Sequence, residues 1–451
     1  MSTLAEKPPA QIWWRSFNRY HWSIFTVASL AWLFDCLDQQ VFNLSRNGAV
    51  EDLIANKSLA TEYASYTTSF FLIGWAIGGL ILGAMGDRFG RARMLTVSLL
   101  IYAGCTGASA FTSSFSQFCT CLLLTGMGVG GVFGLAVALV ADSVPDRTRA
   151  PALGLLQSLS SWGNIIAGLT GMGIGILAEA HRLPDGLKPW KAMFLIGSVP
   201  ALLFACVLFF VKEPDKWVQA RAAGAKSGVK FGSYATLLKH PVWRRHAWYG
   251  LILCCSGIIG LWGLGNFHPT IVRSIIAANL ASKHLPPAEL SSQQAYWSSL
   301  ALLFQNIGGF AGMLSLAKFA QVKGRRPAFA ASLLLSFLCT LLVFRYLRQI
   351  DQIFWMLPLM GFGQFSVFGV YAIYLPELFP ISLRSTGTSF CYNFGRLLAA
   401  TAPFTIGRIT RSLGGNVEGF RTAGMSVSLV LLLGIFVLPM LPETMDKPLP
   451  E

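Results

Sequence analysis

Gly86-Asp87-Arg88-Phe89-Gly90-Arg91-Ala92-Arg93 separates two long apolar runs, and its ending returns about 234 positions later as Gly324-Arg325-Arg326-Pro327. Glycines permit the short reversal, and Asp87 can cap or pair with a neighbouring helix end. Two more landmarks recur at nearly the same offset. Gly126 and Gly128 return as Gly361 and Gly363, and Asp142…Pro145…Arg149 returns as Glu377…Pro380…Arg384. Three landmarks at one offset indicate a duplicated unit. The chain is therefore expected to fold as two pseudo-symmetric bundles with a cavity between them, the arrangement that supports alternating access.

The surrounding sequence gives that unit its material. Hydrophobic residues make up 54% of the 451 and charged residues only 12%. Apolar stretches long enough to span a bilayer recur from Ile24 to Met440. This excludes a soluble enzyme, a disordered chain and a disulfide scaffold. It also excludes an outer-membrane barrel, whose strands alternate apolar and polar residues. Twelve spans are expected, at 22–44, 63–86, 94–112, 115–141, 150–177 and 191–211, then 245–267, 295–318, 327–346, 353–375, 387–407 and 420–440. The fold class is an all-α, multi-pass membrane protein. Its domains are an amino-terminal bundle over 1–211, a polar linker over 212–244 and a carboxy-terminal bundle over 245–451.

The formal charge of +15 sits in short loops, where it sets topology and does not mark nucleic-acid binding. With both termini cytoplasmic, about 22 of the 35 Lys and Arg residues fall in inside loops. The first apolar run is long and holds Asp35 and Asp38, so it reads as a span and not a cleaved signal. The nine cysteines form no C-x-x-C pair, and neither a disulfide, a metal site nor a cofactor is expected. The expected state is a monomer in a cell membrane, either plasma or inner.

At these landmarks the chain resembles the major facilitator superfamily of secondary transporters, over essentially its whole length. Loop 86–93 is similar to the family's D-R-x-G-R-[KR] sequence. Pro376-Glu377-Leu378-Phe379-Pro380…Leu383-Arg384…Gly387 is similar to its P-E-x-F-P-x-x-x-R-x-x-G sequence. Lys212-Glu213-Pro214 and Pro442-Glu443-Thr444 resemble the tails of its sugar-porter and organic-ion branches. The resemblance implies a cytoplasmic gate that latches the outward-facing state, built from Asp87, Arg88, Arg91, Asp142, Arg149, Glu377 and Arg384. The second copy of the loop, Gln321-Val322-Lys323-Gly324-Arg325-Arg326, lacks the acidic residue, so the latch should be asymmetric. Leu122 stands about where many proton-linked members carry an arginine, and span 5 has no Gly-Pro pair of the drug/proton antiporter kind.

Charged groups at mid-membrane cost roughly 2.5–3.5 kcal/mol on insertion scales and are functional candidates by default. Asp35, Asp38, Gln39, Phe42, Asn43 and Arg46 follow three- and four-residue steps and share one face of span 1. Two carboxylates a turn apart repel each other, which suits Asp35 and Asp38 to proton coupling. Their D-x-x-D pattern also resembles span 1 of aromatic-acid and other organic-acid proton symporters. In span 11, Ser389, Tyr392, Asn393 and Arg396 form one stripe. The Arg396 fork fits a carboxylate bidentately, whether that of a substrate or that of Asp35 or Asp38. Further candidates for the substrate pocket are Gln39 and Asn43 in span 1, Gln157 and Asn164 in span 5, Trp262 and Asn266 in span 7, Gln305 in span 8, Gln364 and Tyr371 in span 10, and Tyr392 and Asn393 in span 11.

These residues favour a proton-coupled symporter of a small organic anion, with Arg396 to engage the carboxylate and Asp35 with Asp38 to couple the proton. The alternative is a sugar or polyol porter, with Gln157 as a sugar-binding glutamine. Against it, span 7 lacks the Gln-Gln pair and span 10 lacks a Pro-x-Pro-Trp stretch. A sensor without transport lacks a long signalling tail. A membrane aspartic protease needs carboxylates from two different helices, and here both lie on span 1.

Overall fold

A computed structural model describes residues 13–180, 182–184, 186–208, 211–264, 268–280, 287–399 and 402–450. All of its regular elements are helical. The first six long helices are α1 (Arg19–Leu53), α2 (Ala60–Phe89), α3 (Arg91–Ser109), α4 (Phe115–Ser143), α5 (Asp146–Glu179) and α6 (Pro189–Leu208). Two linker helices follow, α7 (Asp215–Ser227) and α8 (Tyr234–Lys239). The second half opens with α9 (Pro241–Ile258), which runs into a π turn at Ile259–Leu264, then α10 (His268–Leu280), α11 (Pro287–Lys323), α12 (Arg325–Tyr346) and α13 (Ile353–Glu377). It ends with two helix pairs, α14 (Arg384–Ala399) with α15 (Ala402–Ser412), and α16 (Val417–Ser428) with α17 (Val430–Val437).

Each expected span falls largely on helix where it is described; 209–210, 265–267 and 400–401 lie outside the described residues, and α3 stops at Ser109, short of 112. Among the described residues, seven helices are long and apolar enough to cross a membrane by length and composition. The polar face of α1 keeps that helix out of the set. Local chemistry sets the ends. The Asn18 side chain accepts from the His21 backbone N–H at 2.8 Å and caps α1. Asn416 does the same for α16 through Gly419, at 2.7 Å. Gly90 (φ 118°) and Gly324 (φ 105°) hold matching breaks between α2 and α3 and between α11 and α12, in a region of φ that side-chain-bearing residues disfavour.

The repeated glycine pairs explain why the two halves fold alike. A Cβ at Gly126 would strike the Phe71 carbonyl of α2, and one at Gly128 would strike the Ser98–Tyr102 backbone of α3. In the second half, Gly361 lies against the Gln305 carbonyl of α11, and Gly363 lies against Leu335 and Cys339 of α12. Each pair lets one helix sit in close backbone contact with two others, which is how helices pack where lipid supplies no hydrophobic drive.

The bundles meet along two seams. On one, α14 lies in a groove of small residues, where Ser389 fills the space beside Gly83 and Gly134 and Asn393 packs on Gly79. On the other, Ala317 of α11 packs on Gly154 of α5, and Asn164 Nδ2 donates to Asn306 Oδ1 at 2.9 Å. The linker straps both halves at the end that carries loop 86–93. Trp217 Nε1 donates to the Asp87 carbonyl at 3.0 Å, Gly232 N–H to the Ser382 carbonyl at 3.0 Å and the Tyr234 hydroxyl to the Leu80 carbonyl at 2.7 Å.

Candidate functional site

At the level where the seams end, aromatic rings and charges from both bundles converge. Trp32 of α1 packs on Phe133 of α4, with centroids 5.2 Å apart. Phe133 in turn stacks on Tyr392 of α14 at 3.8 Å and 21°. Arg396, one turn along α14, donates from Nη2 to the Tyr392 hydroxyl at 3.0 Å. Its guanidinium carbon lies 3.7 Å from the Trp75 ring centroid of α2 and 4.6 Å from that of Tyr392. A cation over an indole face is held by the ring quadrupole, most strongly where water is excluded.

Asp35 is fully buried, and its carboxylate oxygens accept no hydrogen bond among the described residues. The charge of Arg396 acts on it across the bundle interface. Asp38 points elsewhere. Its Oδ2 accepts from the Thr106 hydroxyl of α3 at 3.0 Å, and the Thr106 and Thr125 hydroxyls lie 3.5 Å apart. Three residues turn a helix through about 300°, so the two aspartates diverge by about 60°. That is enough to aim Asp35 at the interface and Asp38 into the packing of α1, α3 and α4.

The other sequence candidates scatter around this level. Gln39 is buried, and Asn43 is half-buried and donates to Gln40 at 3.2 Å. Gln157 is buried with its Oε1 unmatched among the described residues. Gln305 donates to Gln364 at 3.3 Å, and Gln364 donates to Thr340 at 3.0 Å, which forms a polar chain inside the second bundle. Tyr371 also faces inward there, with its hydroxyl donating to the Leu253 carbonyl. Asn393 Nδ2 donates to the Ser389 carbonyl at 3.1 Å within α14. The Trp262 side chain and all of Asn266 lie outside the described residues. Trp75, Phe133, Thr106 and Thr125 were not legible as site residues, because aromatics and hydroxyls within apolar runs look like ordinary helix packing.

The second constellation closes the end with loop 86–93. Asp87 Oδ1 accepts from the Ser385 N–H at 3.1 Å, and Oδ2 accepts from the Thr386 N–H at 2.8 Å and the Thr386 hydroxyl at 2.7 Å. A residue of α2 thus caps the first turn of α14 in the other bundle. Arg91 donates to Asp87 at 3.1 Å and to the Ile381 carbonyl at 2.7 Å. Asp142 pairs with both Arg91 and Arg384, and all three side chains are buried. Glu377 accepts from Arg325 at 3.1 and 2.9 Å and lies 3.8 Å from Arg149, which also pairs with Asp146. Arg88 takes no part in this latch; it is exposed over the Phe89 ring. Asp87 and Arg91 are four residues apart and share a face, whereas Arg88 is turned about 100° from Asp87. Arg325 supplies the second half of the latch through Glu377, which compensates for the missing acid of its own loop.

Glutamates from beyond the sixth helix of each half brace the two loops alike. Glu213 accepts from the N–H groups of Arg91, Ala92 and Arg93 at 2.8, 3.2 and 3.0 Å. Glu443 accepts from those of Arg325 and Arg326 at 2.9 and 3.0 Å. Burial pushes the Glu443 carboxyl up, but backbone N–H groups of Arg325, Arg326, Met445 and Thr444 outweigh it and hold the group below its ordinary value. A depressed folded-state value means this stabilisation is present above the unfolded value of about 4.3 and is lost as pH falls below it. Melting curves between pH 3 and 7 check this: the advantage of the wild type over Glu443→Gln should be full near neutrality and fade in the acid range.

Comparison with known proteins follows the same outline. The family described as Major Facilitator Superfamily matches residues 28–403. The cis,cis-muconate transport protein of Acinetobacter baylyi is 30% identical over 89% of this chain and 91% of its own length. The niacin transporter NiaP of Acinetobacter baylyi is 24% identical, with 94% of each chain covered. The solved structure of the proton:xylose symporter XylE bound to 6-bromo-6-deoxy-D-glucose superposes with a TM-score of 0.71 at 18% identity, over 95% of this chain and 98% of that one. That likeness is one of fold.

Proposed function

Because the chain belongs to the Major Facilitator Superfamily, and is thus a membrane transporter and not an enzyme, we propose that it is a proton-coupled symporter of a small, planar organic carboxylate. The observation that carries this reading is Arg396, buried at the junction of the bundles between Trp75 and Tyr392 and acting on Asp35. A guanidinium there offers a carboxylate two parallel donors, and the flanking rings offer a conjugated substrate flat apolar faces. The names of the two relatives point to the same chemistry, since muconate is a conjugated dicarboxylate and niacin an aromatic carboxylate. A neutral sugar gains little from a buried guanidinium.

In this cycle a proton on Asp35 removes the charge that competes for Arg396, and the substrate carboxylate takes its place. The bundles, 1–211 and 245–451, then rock about the site while the linker 212–244 keeps them tethered. The latch end lies in the cytoplasm with both termini, in a plasma or inner membrane. Asp38, held by Thr106, tunes the charge of α1 from within the first bundle.

Purified protein in liposomes tests the proposal. An inward-acid-to-alkaline gradient, acidic outside, should drive accumulation of labelled cis,cis-muconate or nicotinate, and hexoses should not compete. Asp35→Asn should abolish uphill accumulation while allowing exchange of substrate across the membrane. Inhibition by hexoses but not carboxylates, or uphill accumulation by Asp35→Asn, would overturn the assignment.

A further inference from the structure

One cation plays no part in the cycle above. Arg46 lies about three turns beyond Asp35 on α1, on the side away from the latch, and eleven residues of helix return it to within about 20° of the same face. It is half-buried. Its Nη1 donates to the Thr68 hydroxyl of α2 at 2.8 Å, and that hydroxyl spends its own hydrogen on the Ala64 carbonyl at 3.1 Å. Among the described residues Nε, which is buried, has no hydrogen-bond partner and Arg46 makes no ion pair. Two acidic groups at this end are engaged elsewhere, Asp52 with Lys188 and the Trp190 indole and Glu62 with the Tyr66 hydroxyl, while Glu51 is exposed and makes no ion pair among the described residues. The helices that pack most closely on α1 are those of its own bundle, α5, α6, α4, α2 and α3. Arg46 thus keeps part of its side chain uncovered at the end of α1 away from the latch.

We propose that Arg46 is an outer anion-binding subsite, which receives the carboxylate of the incoming substrate before it reaches Arg396. With Nη1 fixed by Thr68 and Nε buried, Nη2 is the donor left to meet a carboxylate oxygen, and the charge of the guanidinium strengthens that bond. A guanidinium withdrawn from water without a counter-ion is unfavourable, and an arriving anion relieves this. The subsite rests on the carboxylate reading of the central site. It also gives that reading a path, with two arginines on one route and Gln39 and Asn43 between them. The same donor would suit the phosphate of a lipid headgroup, so the test separates the two sources.

The experiment measures initial uptake of labelled cis,cis-muconate into liposomes under a fixed proton gradient, for wild type, Arg46→Gln, Arg46→Lys and Thr68→Val. Each protein is assayed in pure phosphatidylcholine and with phosphatidylglycerol added. Loss of a charge-assisted contact of ordinary strength should raise KM about tenfold in Arg46→Gln with kcat within about twofold, in both lipids. Arg46→Lys should fall between, since it keeps the charge and loses the fork, and Thr68→Val should raise KM less. An unchanged KM in Arg46→Gln overturns the subsite. So does a defect confined to vesicles containing phosphatidylglycerol, which would make Arg46 a lipid-phosphate contact. If the wild type neither binds nor carries the anion, the functional reading falls and the subsite falls with it. If the wild type carries it and Arg46→Gln does so equally well, the subsite alone falls.

Discussion

Arg396→Lys is expected to lower carboxylate uptake by at least about 100-fold while the protein remains folded. The lysine keeps the charge but has no planar fork, so one of two parallel charge-assisted bonds and the stacking on Trp75 are lost together. Hydrogen bonds to charged groups are worth about 1.5–3 kcal/mol each, and 1.4 kcal/mol is tenfold in affinity. Arg396 packs on Trp75 and Tyr392, about three turns along α14 from Arg384, so the size-exclusion profile and melting midpoint should stay near wild type. Uptake at saturating substrate separates lost binding from a lost conformational step: lost binding raises KM first. A variant that transports normally would remove Arg396 from the substrate route.

Asp142→Ala should produce the largest loss of stability. Asp142 is the shared partner of Arg91 from its own bundle and Arg384 from the other, with all three buried. Removing one member of a buried ion pair costs about 3–5 kcal/mol, because the charge left behind stays out of water. Here two guanidiniums are left. Arg91 retains Asp87 and the Ile381 carbonyl, and Arg384 retains the Pro376 carbonyl, so the effect should fall mainly on the closed state of the latch. Thermal unfolding in detergent measures it as a clear drop in midpoint. Arg88→Ala on the same loop is the contrast, since that exposed side chain should shift stability by no more than about 0.5 kcal/mol. Equal midpoints for Asp142→Ala and wild type would mean that the latch contributes nothing to the ground state.

The architecture was legible because the repeat carries its own explanation. Glycines recurring at one offset turned out to be the points where helix backbones touch, and acids and arginines recurring at the same offset turned out to pair with one another across the bundle interface. Regular helix geometry did the rest. The same geometry also marks where sequence reading stopped. A step of three residues on α1 was counted as one face, but 60° of rotation is the difference between facing Arg396 and facing Thr106. Adjacent positions on α2 separate Asp87 from Arg88 in the same way. Trp75 could not be picked out, because an indole in an apolar run reads as packing until a guanidinium is placed over it. The role of Arg325 was hidden for a different reason: its partner Glu377 lies two helices away.

The cap that Asp87 places on α14 has a kinetic implication. The first N–H groups of a helix have no partner in their own helix. For α14 the partner belongs to the opposite half of the molecule, so whenever the halves part at this end the Ser385 and Thr386 amides lose their acceptor. Water must then take over, and the opening turn of α14 frays. In the proposed cycle each opening at this end should uncover these two amides and each closure should cap them again. Amide deuterium uptake at 385 and 386 should therefore rise and fall with the working cycle, a clock built into the backbone.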